Sequence, residues 1–366
     1  MLLFFLCLIW MTVVGIIFLT IVNILILDNV YASTFPSIQN TNSKLDTQIP
    51  IYMITTRGNL DYPQGVQESG YNNNYQFNNI KQLNSCPLEI VFFVHGWGNN
   101  EDMAKERLDR VKMSIENNNY STSLIGFSWD SDINWIDAKS IAKENGKKLA
   151  NFVFDYMSNC QLQHNKTSDI KLIGHSLGSR VILSSLDNLQ ILMAKDNNTD
   201  NDFKIASIHL LGAAVDNEEM SENSINHYNL PSSLHDPSHV KKAYGHVIGE
   251  VVSKFYNLFN PEDKVLEFVY PGNEALDRAL GEDGKQLNPE VPTPANYLDV
   301  YVQDEIKPLL DADADGETDL GLCYVTCTAD EGDNHAGYIG FRNNTDKNIL
   351  QDDGAMNVVV DHWSTS

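Results

Sequence analysis

An α/β fold, with a mostly parallel central sheet and helices on both faces, is predicted by three features of this 366-residue chain. The first is an apolar run, Ile170 to Ile173, followed at once by Gly174-His175-Ser176-Leu177-Gly178 and then by the helix-like stretch Ser179 to Ala194. This is a strand, a sharp turn and a helix in direct succession. The second is Leu88 to Val94, whose unbroken apolar character suits a strand buried on both faces, and which exits into His95-Gly96-Trp97-Gly98. The third is the alternation around them. Glu101 to Glu116 places Ala104, Leu108, Val111 and Ile115 on one helical face; Ser123 to Ser128 reads as a strand, Ala138 to Met157 as a second amphipathic helix, and Ile205 to Gly212 as a later strand. Alternating strands and helices with short connections build a parallel sheet covered on both sides. With 42% hydrophobic residues, positions 50–366 suffice for one large domain.

The chemistry-bearing residues sit at the ends of these strands. Glycines at both ends of the Ser176 motif let the backbone turn tightly enough to expose the serine oxygen. On Gly174-His175-Ser176-Leu177-Gly178 and His95-Gly96, the chain resembles the α/β-hydrolase superfamily, in its esterase and lipase-like branches, over about residues 50–345. That resemblance implies Ser176 as nucleophile and the backbone N–H groups of Leu177 and Trp97 as oxyanion donors. An acid and then a histidine should follow. Asp263, in a turn past a late strand and ahead of Val265-Leu266, matches the family's common position; Asp216, one strand earlier, is the alternative acid. His335, in Asn334-His335-Ala336-Gly337-Tyr338, is the expected base, and His362, in a Val358-to-Trp363 segment that reads as a terminal strand, is the alternative. The implied reaction is cleavage of a small-molecule or lipid carboxylic ester through an acyl-enzyme, with no cofactor required for catalysis. Excursions are expected before the acid (Asn217 to Ile248) and before the histidine (271–322, rich in Gly, Pro and polar residues).

A formal net charge of −24 argues against nucleic acid as a partner and against attraction to anionic membrane surfaces. The N-terminus is apolar instead: Met1 to Leu27 carries no charged residue, and a bilayer core needs about 20 such residues in a helix. Residues 1–32 therefore read either as a signal peptide cleaved after Val30-Tyr31-Ala32 or as a membrane anchor, with 33–49 as a polar linker. Either places the catalytic domain outside the cell, secreted or anchored. Beyond Cys7 there is an even set of cysteines, Cys86, Cys160, Cys323 and Cys327, which suits an oxidising compartment. In the strand order implied by the resemblance, the strands after Cys86 and Cys160 are neighbours, which favours a Cys86–Cys160 bridge. Cys323 and Cys327 can close a small loop only if the chain between them is not fully extended.

Asp311, Asp313, Asp315 and Asp319 stand around Gly316 in a spacing that lets carboxylates converge on one hard cation, although Leu322 occupies the position where an EF-hand has Glu. A shorter structural calcium loop and a plain acidic surface loop are the two readings. The functional alternative from another class is a non-catalytic, calcium-binding surface or adhesion module on a hydrolase scaffold. If calcium is bound, a hundredfold excess over Kd should stabilise the protein by about 2.7 kcal/mol, seen as a raised Tm that Asp313→Asn with Asp315→Asn erases. A melting curve indifferent to millimolar calcium and to chelator would leave only the acidic loop.

Overall fold

Seven short apolar strands form the centre of the computed structural model, which describes residues 49–57, 86–164, 167–195, 203–222, 242–274, 277–285, 292–306, 335–342, 346 and 348–365. In chain order they are β1 (Ile51–Thr55), β2 (Glu89–Val94), β3 (Ser123–Ser128), β4 (Asp169–His175), β5 (Ile205–Leu211), β6 (Val252–Phe259) and β7 (Tyr297–Tyr301). Their order across the sheet is β1-β3-β2-β4-β5-β6-β7, and every pairing is parallel. The order reverses between β2 and β4, so the connections after these two strands run to opposite sides and leave a crevice at their carboxyl ends. The register aligns those ends, with Val94 opposite Gly174 and His175 opposite Leu211.

Alternation along β2 supplies both cores. Ile90, Phe92 and Val94 face helices α2 (Trp135–His164) and α3 (Gly178–Lys195), while Val91 and Phe93 face α1 (Glu101–Asn117) and the C-terminal helix α5 (Met356–Ser364). A short helix, α4 (Gly245–Val251), leads directly into β6. The start of α1 is fixed locally: the Asn100 side chain accepts from the Met103 N–H, and Glu101 and Asp102 complement the helix dipole.

Three elements differ from expectation for identifiable reasons. Helix α2 is longer at both ends than its apolar pattern, because Trp135 and Cys160 are also buried in the core. The segment after Pro271 is not all excursion; Tyr297–Tyr301 pairs with β6 and extends the sheet. The valine run at Val358–Val360 is helical rather than a terminal strand, since Met356, Val359, Val360 and Trp363 fall on one buried face at helical spacing. The N-terminal segment 1–32 and most of its linker, the Asp311 to Asp319 loop, Cys323 and Cys327 lie outside the described residues. Among the described residues, no helix is long and apolar enough to cross a membrane.

A disulfide joins Cys86 to Cys160, with Cα atoms 5.6 Å apart, at the amino ends of adjacent β2 and β4. It closes a 74-residue span, which restricts the unfolded chain substantially. Replacing both cysteines by serine should cost about 2–5 kcal/mol in equilibrium unfolding while the circular dichroism of the folded state is kept. Equal stability of oxidised wild type and the double variant would refute a stabilising role.

Candidate active site

The turn after β4 is held in a conformation that side-chain-bearing residues seldom adopt. Ser176 has φ +53°, in the left-handed region. Its N–H donates to the Leu211 carbonyl at 3.0 Å, and its own carbonyl accepts from Ser179 and Ala214 at 3.1 and 3.2 Å, so the turn is tied both to α3 and to the exit of β5. The flanking glycines are required by contact. A Cβ on Gly178 would stand 2.3 Å from the Val94 carbonyl oxygen, and one on Gly174 would stand 2.8 Å from Ile182. Gly96, from the loop after β2, comes equally near: a Cβ there would be 2.6 Å from Ser176 Cβ and 3.2 Å from its Oγ.

His335 opens a short helical turn, His335–Ile339, seated against His175, the residue before this serine. Its Nδ1 donates to Asp263 Oδ2 at 2.7 Å. Asp263 is fully buried, and its other oxygen accepts from the backbone N–H groups of Val265 and Leu266, at 3.1 Å each. Both carboxylate oxygens are thus engaged, and in the neutral imidazole Nε2 is left as the accepting nitrogen. The residue before the serine completes the link, since His175 Nε2 donates to the His335 carbonyl at 2.9 Å, with the two rings 5.0 Å apart. Burial, reinforced by the neighbouring His335, holds the His175 imidazole well below the ordinary histidine range, so it donates as a neutral ring. Tyr338 packs its ring on Gly212 and donates to the Gly281 carbonyl at 3.2 Å, and Arg110 from α1 donates to the Gly340 carbonyl at 3.2 Å.

The loop after β2 is fixed by a second neutral histidine. Burial pushes His95 down to about 3, with Arg57 adding to the effect. Its Nδ1 donates to the Gly96 carbonyl at 2.9 Å, while Nε2 accepts from the Trp129 N–H at 3.2 Å. Trp97 is half-buried; its indole donates to the Ile133 carbonyl at 2.6 Å and meets Trp135 edge to face. Leu177 is fully buried at the start of α3, where backbone N–H groups have no partner within the helix.

The other candidates occupy different surroundings. Asp216 accepts from the Tyr270 hydroxyl at 2.6 Å and lies 3.8 Å from Arg180, whose other guanidinium nitrogen is 3.0 Å from Glu219. It belongs to a buried ion cluster behind the turn and not to the His335 pair. His362, on α5, stacks on Tyr256 and lies 3.2 Å from the buried His209 ring. Among the described residues, no three His, Cys, Asp or Glu side chains gather as a metal site. Arg57, His95, His175 and Arg180 carry structural duties that their sequence context did not reveal, because their partners lie one or more strands away.

Residues 71–267 match the model of a family described as alpha/beta hydrolase of unknown function (DUF900). The match takes in the loop at His95, the Ser176 turn and Asp263, and it ends before His335. No curated protein matches the chain.

The buried neutral histidines set a pH dependence. His95, His175 and His209 all have folded values depressed by burial, whereas in the unfolded chain each protonates near 6.5. Their contribution is complete above about pH 6.5 and is lost as pH falls below it, for His95 down to about 3, by up to about 1.4 kcal/mol per pH unit for each histidine. Urea unfolding between pH 7.5 and 5.5 should show stability falling with acid, and His209→Gln should flatten that slope. A pH-independent midpoint would contradict this account.

Proposed function

Because this chain belongs to the alpha/beta hydrolases, we propose that it is a serine hydrolase that cleaves carboxylic esters through an acyl-enzyme. The observation that carries the reading is the His335–Asp263 hydrogen bond, packed through His175 against the turn in which Ser176 is held at positive φ. Ser176 Oγ attacks the ester carbonyl carbon while His335 Nε2 takes the hydroxyl proton. The Asp263 carboxylate keeps the imidazole in the tautomer with Nδ1 protonated and stabilises the imidazolium that forms. The negative charge on the former carbonyl oxygen is met by the N–H groups of Leu177 and Trp97. His335 then returns the proton to the departing alcohol, and a water activated by the same nitrogen hydrolyses the acyl-serine.

The substrate is a small-molecule or lipid ester, and nucleic acid is not a partner for so acidic a chain. We place the catalytic domain outside the cytoplasm, secreted or tethered through the apolar N-terminus; the Cys86–Cys160 bridge supports an oxidising compartment. Any calcium held by Asp311, Asp313, Asp315 and Asp319 would have a structural role.

Ser176→Ala should abolish fluorophosphonate labelling and lower p-nitrophenyl ester hydrolysis by more than about 10³-fold. Asp263→Asn should lower kcat by about 10³ to 10⁴, while Asp216→Asn should mainly lower stability by disturbing Arg180 and Tyr270. Turnover by Ser176→Ala within tenfold of wild type would overturn the mechanism, and a larger kcat loss at Asp216 than at Asp263 would overturn the choice of acid.

A further inference from the structure

We propose that Asn99 is a positioning residue that holds the Gly96–Trp97 peptide so that the Trp97 N–H faces the oxyanion. This rests on the reading of Ser176 as nucleophile and Trp97 as one oxyanion donor. A trans peptide is planar, and its C=O and N–H point in opposite directions, so anchoring one aims the other. The Gly96 carbonyl is held by two donors, His95 Nδ1 at 2.9 Å and Asn99 Nδ2 at 3.1 Å. The same Asn99 nitrogen also donates to the Trp97 carbonyl at 2.8 Å. Both carbonyls are thereby drawn to the Asn99 side, and the N–H between them is turned away from it. Gly96 itself lies against Ser176, within the spacing that no Cβ would tolerate.

Other contacts hold the loop at its edges, the Gly98 N–H donating to the Ser131 carbonyl at 3.0 Å and the Trp97 indole to the Ile133 carbonyl at 2.6 Å, and the Gly96–Trp97 peptide between them is anchored through its carbonyl by the His95 ring and Asn99. Gly96 has no Cβ, and Gly98 sits at φ +71°, so the backbone dihedrals on either side of Trp97 set little preference of their own for the peptide's orientation. A flipped peptide would present a carbonyl oxygen to the developing oxyanion and repel it. Asn99 is well placed to prevent this because it is itself immobilised. It is buried; its N–H donates to Ser131 Oγ at 3.2 Å, and its carbonyl accepts from Arg57 Nη2 at 2.8 Å and from Ser131 Oγ at 3.1 Å. The orientation of the side-chain amide is also set chemically. Oδ1 faces Arg107 Nε at 3.4 Å, and arginine can only donate, so the NH₂ must be the end that faces the two carbonyls. Arg57 ties this to the neighbouring strands, donating to Ser128 Oγ at 2.6 Å and approaching His95 Nε2 at 3.3 Å.

Asn99→Asp tests the proposal with almost no change of shape: it removes both donors and places an acceptor against two carbonyls. The full chain should lose about 10² to 10³ in kcat on p-nitrophenyl butyrate, the range for one missing oxyanion donor, with KM within about threefold. Affinity for an alkyl trifluoromethyl ketone, whose hemiketal carries the oxyanion, should fall in parallel with kcat/KM. A residue that only supported the fold would lower Tm without that parallel. Asn99→Ala, which adds no charge, should move the same quantities in the same direction and serves if the aspartate variant fails to fold. Folded Asn99 variants with kcat within threefold of wild type, or with a loss confined to KM, would overturn the proposal. Ser176→Ala is run beside them. If it is inert while the Asn99 variants are fully active, only the role of Asn99 has failed; if it is as active as wild type, the nucleophile assignment has failed and this proposal with it.

Discussion

The carboxyl edge of the sheet is organised by how closely the end of β2 and the turn after β4 approach each other, a distance at which no side chain fits. Gly178 meets the Val94 carbonyl, and Gly96 meets Ser176, at spacings where even one Cβ would force backbone apart. Adjacency of the two strands in the sheet creates this proximity, and the reversal of strand order between them opens space above it. The loop carrying Trp97 and the turn carrying Ser176 and Leu177 are therefore components of one junction. Glycine is fixed at these positions by contact as well as by conformation.

Charge around that junction is closely managed. The protein as a whole is strongly acidic, yet the groups nearest Ser176 are kept neutral or fully compensated. His95 and His175 are uncharged because burial disfavours their protonated forms, and each uses a ring N–H to hold a carbonyl of the site. The Asp263 carboxylate is satisfied by His335 and two backbone N–H groups, and Arg180, in the first turn of α3, is offset by Asp216 and Glu219. An unbalanced charge at this depth would cost several kcal/mol and would act on any charge developing at the serine.

The His335 turn is seated only through contacts made across the whole fold. Asp263 follows β6, and His335 follows a long segment that adds β7 to the sheet before the chain returns. Its turn is then seated by Gly212 and Gly281 from one side, Arg110 of α1 from another, and the Ala355 N–H, which bonds the Tyr338 carbonyl, from the start of α5. The valine-rich C-terminal helix thus supports the His335 turn through Ala355. Its buried stripe is what fixes Ala355 in place.

The sequence by itself determined the fold class, the strands β2 to β6 and the glycine-bounded serine turn, because these depend on local periodicity and on glycines at fixed offsets, and the strand order implied by its family resemblance favoured the pairing of Cys86 with Cys160. It also pointed to Asp263 and His335 but left Asp216 and His362 open, since nothing local separates a carboxylate facing an imidazole from one facing Arg180. Only the tertiary structure shows Asp263 against His335 and Asp216 against Arg180, and only it exposed the contacts of Arg57, Asn99 and His175. A hydrogen bond between residues tens of positions apart leaves no periodic trace in the chain. Asn99 in particular follows glycine and reads as an ordinary turn residue until the fold brings Ser131 and Arg57 to its backbone and so holds its amide against the nearby carbonyls of Gly96 and Trp97.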